Sequence, residues 1–309
     1  MEKQFFYTSL ARALATNYGI DVKLSRTFRL SGGDINKAYG IELSNGTDIF
    51  MKANEKENID FFTQEVNNLN AISKTKTIST PEVIAYGTDD GENVGYSFLL
   101  LKYIPEENQT NQFWENLAHK LSQLHKSDAT IFLFIDDFDA GCNFGFLQDN
   151  YIGRTKQINS SKKSWIEFFR DNRLAPQFKL AQKYFSESES KKITKLLDNL
   201  DKFLVEPKFP SLLHGDLWSG NILCGKNSEP YLIDPACYVG NLEADIAMTE
   251  LFGGFPQRFY SAYEESGFLD SEYTSRRDLY NLYHVLNHLN LFGQNYLSAA
   301  KAIIDNYVD

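Results

Sequence analysis

Three polar residues in the second half of the chain, Asp216, Asn221 and Asp234, stand at spacings that suit chemistry on a phosphate. Asn221 follows Asp216 by five positions, and Asp234 ends a second apolar run eighteen positions after Asp216. A hydroxyl that attacks phosphorus needs an acceptor for its proton within hydrogen-bond reach, and a carboxylate can supply one. Mg²⁺ prefers hard oxygen ligands, usually one or two carboxylates with phosphate oxygens. The pattern predicts Asp216 as the base and Asn221 and Asp234 as metal ligands.

The stretch from His214 to Asn221 has the order of a kinase catalytic loop, in which the Asp is the base and the Asn binds metal. A plainer interpretation is that His-Gly-Asp is an ordinary loop and that Asp234 only ends a strand. Three polar residues at these spacings, between two apolar runs, favour the kinase-like interpretation. His214 is expected to hold the loop by a hydrogen bond rather than act as base, because Asp216 is better placed.

Composition limits the class of protein and its partners. The chain has 309 residues, 42% hydrophobic and 23% charged, which is enough for a large core and two lobes. The net charge of −10 argues against nucleic acid as a partner. Three cysteines without a Cys-x-x-Cys motif suit a reducing cytoplasm. No signal-peptide pattern and no run of eighteen apolar residues is found, so we expect a cytoplasmic protein without a membrane partner, and a monomer.

The first hundred residues have the alternation of apolar and polar residues that predicts strands. Helices are predicted at 4–18 and 61–71, where the apolar residues recur at helical spacing. The predicted strands are 22–30, 36–43, 48–53, 81–87 and 96–101. Together they predict a small five-stranded antiparallel sheet with one main helix.

Candidate nucleotide-binding residues lie on these elements. Gly32, Gly33 and Asp34 fall in a turn between two predicted strands, where glycine lets backbone amides approach phosphate oxygens. Lys52, on the third strand, occupies the place of the lysine that holds the phosphates in a kinase-like lobe. Glu65, thirteen residues later on the helix, could pair with it. Each taken alone has a plainer interpretation as a turn, a solvated lysine or an exposed helix charge.

The chain changes character after the last predicted strand. Lys102, Tyr103 and Ile104 are the predicted hinge, whose backbone would receive the edge of adenine. Apolar residues then recur at helical spacing; the predicted helices are 111–126, 164–174, 187–204, 243–252, 256–265, 275–292 and 296–307. We therefore predict an α+β protein with a two-lobed protein-kinase-like fold, in which 1–102 form the N-lobe and 103–309 a helical C-lobe with the catalytic loop and the acceptor site. Asp234 is followed by Pro235 rather than Phe-Gly, which favours a kinase of small molecules or specialised targets.

Two aromatic residues are candidates for the acceptor site. Trp218 lies in the catalytic loop and is predicted to stack on or wall the acceptor, although packing at the base of the lobe fits its position equally well. His284 and His288 are four residues apart on one predicted helix, a spacing compatible with metal binding. With no third ligand in view, packing is favoured for both, and His288 is also a candidate to line the acceptor pocket.

Several longer runs resemble one family, the fructosamine kinases or ketosamine 3-kinases, over residues 31 to 297. The matching runs are SGGDINKAYG, PEVIAYG, WIEFFRDNRLAPQ, HGDLWSGN, YLIDPACYVGNLEADIAMTELFGGFP and LYHVLNHLNLFGQNY. The resemblance implies phosphorylation of the 3-hydroxyl of ketosamines by ATP and Mg²⁺, on small molecules or glycated proteins. It implies ribulosamine and erythrulosamine as acceptors, with fructosamine a further candidate. Because the 3-phosphate is unstable, the activity would amount to deglycation.

The resemblance also implies roles for single residues. It makes Asp216 the base, Asn221 and Asp234 the Mg²⁺ ligands, and Lys52 a phosphate ligand oriented by Glu65, with Gly32, Gly33 and neighbouring amides over the phosphates. Two other functions stay open at this stage. One is a kinase of another small hydroxyl or amine compound, such as an aminoglycoside or choline. The other is a pseudokinase acting as a binding module. The presence of all five residues expected for phosphate transfer disfavours it: Lys52, Glu65, Asp216, Asn221 and Asp234.

Overall fold

The structure is a computed structural model that describes residues 9–30, 36–90, 95–134, 136, 141 and 143–308. The candidate phosphate-binding residues Gly32, Gly33 and Asp34 lie outside the described residues. The first sheet has five strands: β1 (Leu24–Leu30), β2 (Lys37–Leu43), β3 (Asp48–Glu55), β4 (Val83–Asp89) and β5 (Tyr96–Lys102). Their order is β1-β2-β3-β5-β4, and every neighbouring pair is antiparallel. The prediction of a five-stranded antiparallel sheet is confirmed.

Two helices cover this sheet. Helix α2 (Ile59–Thr75) places Phe62, Val66 and Leu69 on one stripe, which packs on the inner residues of β5. Helix α1 (Ser9–Tyr18) contributes Leu14 to an apolar cluster on β2 and β3. Because β5 is covered on both faces, its residues from Ser97 to Leu101 are buried without alternation.

The rest of the chain is mostly helical, as predicted. Its helices are α3 (Phe113–Lys126), α4 (Trp165–Phe169), α5 (Ala175–Ala181), α6 (Glu187–Asp198), α7 (Glu243–Leu251), α8 (Gln257–Glu264), α9 (Tyr273–Phe292) and α10 (Leu297–Val308). The predicted helix at 164–174 is α4 followed by a π-helical turn, Arg170–Leu174. Three short strand pairs are set among the helices: β6 (Asn150–Ile152) with β7 (Thr155–Gln157), β8 (Ser211–Leu213) with β11 (Tyr238–Gly240), and β9 (Ile222–Cys224) with β10 (Pro230–Leu232).

The large core is built around α3, α7 and α9, yet it extends beyond the helical part of the chain. Ala71, Ile72 and Ile78, at the end of α2 and just after it, belong to the same buried cluster. The predicted division between residues 102 and 103 stays a prediction. Among the described helices, none is both long enough and apolar enough to cross a membrane.

Candidate active site

Two strand pairs hold the candidate catalytic segments side by side. Strand β8 leads directly into His214, and its partner β11 follows shortly after Asp234. The carbonyl oxygen of His214 accepts a 2.8 Å hydrogen bond from the amide of Ala236. The carbonyl oxygen of Asn221 accepts one of 3.0 Å from the amide of Ile233. The loop that carries Asp216 is therefore fastened on both sides to the segment that carries Asp234.

Glycine is required at the centre of this loop. Gly215 has a φ of +81°, and a Cβ atom added there would lie 2.0 Å from the carbonyl oxygen of Ala236. No real Cβ contact is so short, and the left-handed backbone is itself costly for other residues. The close approach of the two segments depends on the absence of a side chain.

A buried carboxylate, Asp245 on α7, holds the loop that carries Asp216 through its backbone amides. Its two oxygens accept hydrogen bonds from the amides of His214 and Gly215, at 2.7 and 2.8 Å. The Nε2 atom of His125 lies 3.1 Å from one of them. Burial opposes ionisation, but these contacts and the nearby imidazoles hold the pKa of Asp245 below its usual value. Asp245 was not among the predicted site residues, although an acidic residue within the apolar run Ala-Asp-Ile-Ala-Met indicates a buried charge that must be paired.

His214 holds the loop as expected. Its Nε2 atom donates to the carbonyl oxygen of Ile233 at 2.9 Å, and its Nδ1 atom accepts from the amide of Asp216 at 3.2 Å. Burial lowers the pKa of His214, which favours the neutral ring that these two hydrogen bonds require. The prediction that this residue supports the loop is confirmed.

The structure brings Asp216 and Asn221 into contact. The Nδ2 atom of Asn221 donates to the backbone oxygen of Asp216 at 2.8 Å and approaches its Oδ2 atom at 3.3 Å. The Asp216 side chain is 23% exposed. Burial, followed by the charge of Asp234, raises the pKa of Asp216 to about 7. A carboxyl group with such a pKa can take up and release a proton near neutrality.

Lys52 joins the sheet to the catalytic segments. Its Nζ atom lies 2.6 Å from the Oε1 atom of Glu65 on α2, and it also pairs with the Oδ1 atom of Asp234. Burial alone would lower the pKa of Lys52, but the charges of Asp234 and Glu65 outweigh it and raise that pKa. Burial also raises the pKa of Glu65, against the opposing effect of Lys52. The predicted Lys52–Glu65 pair is present, and Asp234, with a φ of +54° and a side chain 47% exposed, completes it.

A second contact between α2 and the Asp234 segment was not foreseen. The Nδ2 atom of Asn68, one helical turn after Glu65, donates to the carbonyl oxygen of Pro235 at 2.7 Å. Asn150 at the start of β6 donates to the Oδ1 atom of Asn68 at 2.9 Å and to the carbonyl oxygen of Cys237 at 2.8 Å. Asn68 and Asn150 are almost fully buried. The signal available in the sequence was a polar residue, Asn68, on the side of α2 that is otherwise mostly apolar.

The predicted hinge lies at the end of β5. The amide of Lys102 donates to the carbonyl oxygen of Glu82 at 2.9 Å, and the Lys102 side chain is exposed. Backbone hydrogen bonds found among the described residues do not involve Tyr103 or Ile104. Lys102 and Ile104 line a cavity of about 370 Å³, together with residues between Ser73 and Glu82, Lys120 and Tyr231. The described residues that line this cavity do not include Lys52, Glu65, Asp216, Asn221 or Asp234.

The two candidate acceptor residues lie on one aromatic surface. Trp218 is 38% exposed, and a Cβ atom added at Gly220 would lie 2.3 Å from its ring. The ring of Phe252 lies 6.3 Å from that of Trp218 and 4.8 Å from that of His288, measured between centroids. Burial lowers the pKa of His288, whose Nδ1 atom lies 2.8 Å from the carbonyl oxygen of His284. Phe252, which had no assigned role, therefore links the two predicted residues.

The small antiparallel sheet has a lysine–glutamate pair and is joined to a mostly helical part of the chain, in which a His-x-Asp loop follows strand β8. Together these features define a phosphotransferase of protein-kinase-like fold. The model of the fructosamine kinase family matches residues 6–309, and the chain belongs to this family. The fold class predicted from the sequence is thereby confirmed.

Similar proteins are found among both sequences and solved structures. The probable ketoamine kinase of Vibrio parahaemolyticus is 36% identical over 98% of this chain and 99% of its own length. The chloroplastic protein-ribulosamine 3-kinase of Arabidopsis thaliana is 37% identical over 94% of this chain and 85% of its own. A crystal structure of a Haemophilus somnus protein assigned as a fructosamine-3-kinase superposes with a TM-score of 0.83, at 28% identity and 97% coverage of both chains.

Proposed function

We propose that this kinase transfers the γ-phosphate of ATP to the 3-hydroxyl of ketosamines and thereby promotes deglycation. Ribulosamine and erythrulosamine adducts are the first candidates, with fructosamine as a third, on small amines or glycated proteins. The observation that carries the proposal is the meeting of Lys52, Glu65 and Asp234 with the Asp216–Asn221 pair, in a chain of the fructosamine kinase family. The name of the Arabidopsis relative supports ribulosamine in particular.

Asp216 is the proposed base. Its side chain is partly exposed and belongs to a loop that hydrogen bonds hold in place. The pKa of Asp216 lies at about 7, so its carboxylate can receive the proton of the attacking hydroxyl. Transfer then needs no covalent enzyme intermediate, and catalysis consists mainly of positioning and electrostatic stabilisation.

The nucleotide side is assigned to the sheet and the hinge. Lys52 would contact the phosphates, with Glu65 holding its ammonium group in place. The amides of the segment with Gly32, Gly33 and Asp34 would cover the phosphates. The backbone of Lys102, Tyr103 and Ile104 would receive the edge of adenine. Backbone–backbone hydrogen bonds found in the described part of the chain leave Tyr103 and Ile104 unused.

The residues present fit a magnesium ion. The Nδ2 atom of Asn221 is used within the loop, so its amide oxygen is the atom left for a cation. Asp234 contributes a carboxylate of which one oxygen is engaged by Lys52. One amide oxygen and one carboxylate suit Mg²⁺, which takes its remaining ligands from phosphate and water. Bound there, the ion would neutralise negative charge that develops on the phosphates.

The acceptor is proposed to bind against the aromatic surface. Trp218 offers an exposed ring within the loop that carries Asp216, and the ring of Phe252 lies 6.3 Å from it and 4.8 Å from the ring of His288. A flat ring can pack on the carbon skeleton of the sugar while the hydroxyls face polar groups. We propose that the enzyme acts as a cytoplasmic monomer.

The test is ADP release from Mg-ATP with ribulose-lysine, fructose-lysine, choline and kanamycin as parallel acceptors. We expect turnover with a ketosamine and loss of roughly 100- to 10,000-fold in Asp216→Asn, with ATP binding retained. The ratio of ribulose-lysine to fructose-lysine turnover would give the sugar preference. Activity only with choline or kanamycin would reject the ketosamine proposal, and no turnover with any acceptor, while ATP still binds, would favour a binding module.

A further inference from the structure

His284 lies next to the proposed base, Asp216, and has no role in the proposed mechanism. It belongs to α9, the helix that also carries His288. The Nδ1 atom of His284, on α9, lies 3.9 Å from the Oδ1 atom of Asp216. His284 is 3% exposed, and across the described ranges its Nδ1 atom is buried without a hydrogen-bond partner. A buried polar atom without a partner is rare in folded proteins and costs about 1–3 kcal/mol. Such an atom beside a catalytic carboxylate points to a contact made at another stage of the reaction.

The two oxygens of Asp216 have different surroundings. Oδ2 faces the amide nitrogen of Asn221 at 3.3 Å, whereas Oδ1 faces the imidazole of His284. An ionised carboxylate has about four lone-pair sites and accepts hydrogen bonds only. One donor on each oxygen would fix the plane of the carboxylate and would leave a lone pair on each oxygen for the acceptor hydroxyl.

The imidazole stays neutral in this environment. Burial is the main cause that lowers the pKa of His284 to about 3; His288 and Arg173 act in the same direction, and the charge of Asp245 opposes them. Arg173 is fully buried and donates to backbone and amide oxygens, and no carboxylate in the described part of the chain pairs with it. A second positive charge at His284 is therefore disfavoured, and its Nδ1 atom acts as a hydrogen-bonding group rather than as an acid.

We propose that His284 is a positioning residue for Asp216, whose Nδ1–H group donates to Oδ1 when the acceptor is bound. This inference rests on the proposed role of Asp216 as base and adds the group that orients it. Shortening the present 3.9 Å separation by about 1 Å would give an ordinary N–H···O hydrogen bond. Catalytic hydrogen bonds are often long in the free enzyme and shorten in the complex with substrate.

The test compares His284→Asn with His284→Leu. Asparagine carries an amide nitrogen on Cγ, as histidine carries Nδ1, whereas leucine removes the polar group. We expect His284→Leu to lower kcat roughly 10- to 100-fold, as expected for losing one hydrogen bond to a charged group. The KM for ATP should stay within about twofold of that of the unaltered enzyme, and His284→Asn should recover most of kcat. Equal losses in both variants, or a loss confined to KM, would overturn the inference.

A double-mutant cycle separates positioning from general packing. If His284 acts through Asp216, adding His284→Leu to Asp216→Asn should lower the residual turnover little further. Fully additive losses would show that the histidine acts independently of the base. The cycle can be run with whichever acceptor proves active, so that failure of the ketosamine proposal leaves this test intact.

An NMR measurement tests the same inference if no acceptor is found and turnover cannot be measured. The ¹⁵N spectrum of the imidazoles, with the His284 signal assigned by its loss in His284→Asn, reports which ring nitrogen carries the proton. We expect a proton on Nδ1, with a signal that moves in Asp216→Asn. A deprotonated Nδ1 atom would refute the proposed donor even if no acceptor were found.

Discussion

The amide nitrogen of Asn68 donates a 2.7 Å hydrogen bond to the carbonyl oxygen of Pro235, the residue that follows Asp234. Glu65 lies one turn earlier on the same helix and shares Lys52 with Asp234. Helix α2 is thus fixed to the segment that carries Asp234 by the ion pairs of Lys52 and by a buried amide. The position of Lys52 is set by Glu65 on α2 and by Asp234 in the segment that α2 contacts.

Asn68→Ala should weaken this attachment. The Pro235 carbonyl would lose its buried donor, which predicts a fall of roughly 1–3 kcal/mol in the free energy of unfolding. The KM for ATP should rise as well, because Glu65 and Asp234 would no longer be held in register. Urea unfolding and ATP kinetics measure the two effects. Asn70→Ala, on the exposed side of the same helix, is the matched control, and equal stability of the two variants would contradict the prediction.

Lys52→Met should lower both the free energy of unfolding and the affinity for ATP. It leaves the Glu65 carboxylate, which is only 12% exposed, beside Asp234 without a positive charge, and breaking a buried pair costs about 3–5 kcal/mol. The matched change is Lys56→Met, which removes a pair with Asp90 whose side chains are 42% and 88% exposed. An exposed pair contributes only about 0–1 kcal/mol. Chemical denaturation should therefore separate the two variants clearly, and similar losses would show that the Lys52 cluster is not effectively buried.

Gly215→Ala should abolish the loop geometry rather than merely strain it. The added Cβ atom would meet the Ala236 carbonyl at 2.0 Å, so the contact that joins the two candidate catalytic segments has to open. Gly267→Ala provides the control, because Gly267 also has a positive φ (+67°) but no atom within 4 Å of the added Cβ. The control should lose about 1–2 kcal/mol of stability and keep its turnover. Turnover by Gly215→Ala at the level of the control would refute the requirement for glycine.

Asp216→Asn should change how stability depends on pH. The pKa of Asp216 in the folded protein, about 7, lies above its ordinary value of 3.8, so the folded state holds the proton more tightly than the unfolded state. Stability from this group is fully present below pH 3.8 and is lost as pH rises through about 7. Asp216→Asn, which cannot ionise, should therefore be more stable than the unaltered enzyme at pH 8, by on the order of a few kcal/mol. This gap should close towards pH 4.

Urea unfolding without nucleotide or metal checks this prediction, and Asp270→Asn supplies a control of opposite sign. The hydrogen bond from Arg276 is the main cause that lowers the pKa of Asp270, so its carboxylate contributes stability above its ordinary pKa. Asp270→Asn should lose stability at neutral pH where Asp216→Asn gains it. A gap between Asp216→Asn and the unaltered enzyme that does not vary with pH would contradict the assigned pKa.

Some of this site could be predicted because the signal is local. The short spacing from Asp216 to Asn221, and a lysine on a strand followed by a glutamate on the next helix, specify their own geometry once the elements are known. Asn68 and Asp245 stand out in the sequence only as polar residues among apolar ones, and that signal does not identify their partners. Asn68 meets Pro235 across 167 positions of the chain, so the partner of its amide is known only once helix α2 has been placed against the Asp234 segment. His284 was noted only for its spacing from His288, whereas its contact with Asp216 arises from the packing of α9 on the loop.

Ala71, Ile72 and Ile78 have a consequence for chimaeric proteins. These residues stand before the predicted boundary at 102, yet they fill part of the large core on the other side of it. Exchanging the first 102 residues for those of a relative would carry three foreign side chains into that core, where a change of one methylene in volume is felt. A working hybrid would therefore have to keep these three residues, or take the segment 71–78 and its helical surroundings from the same parent.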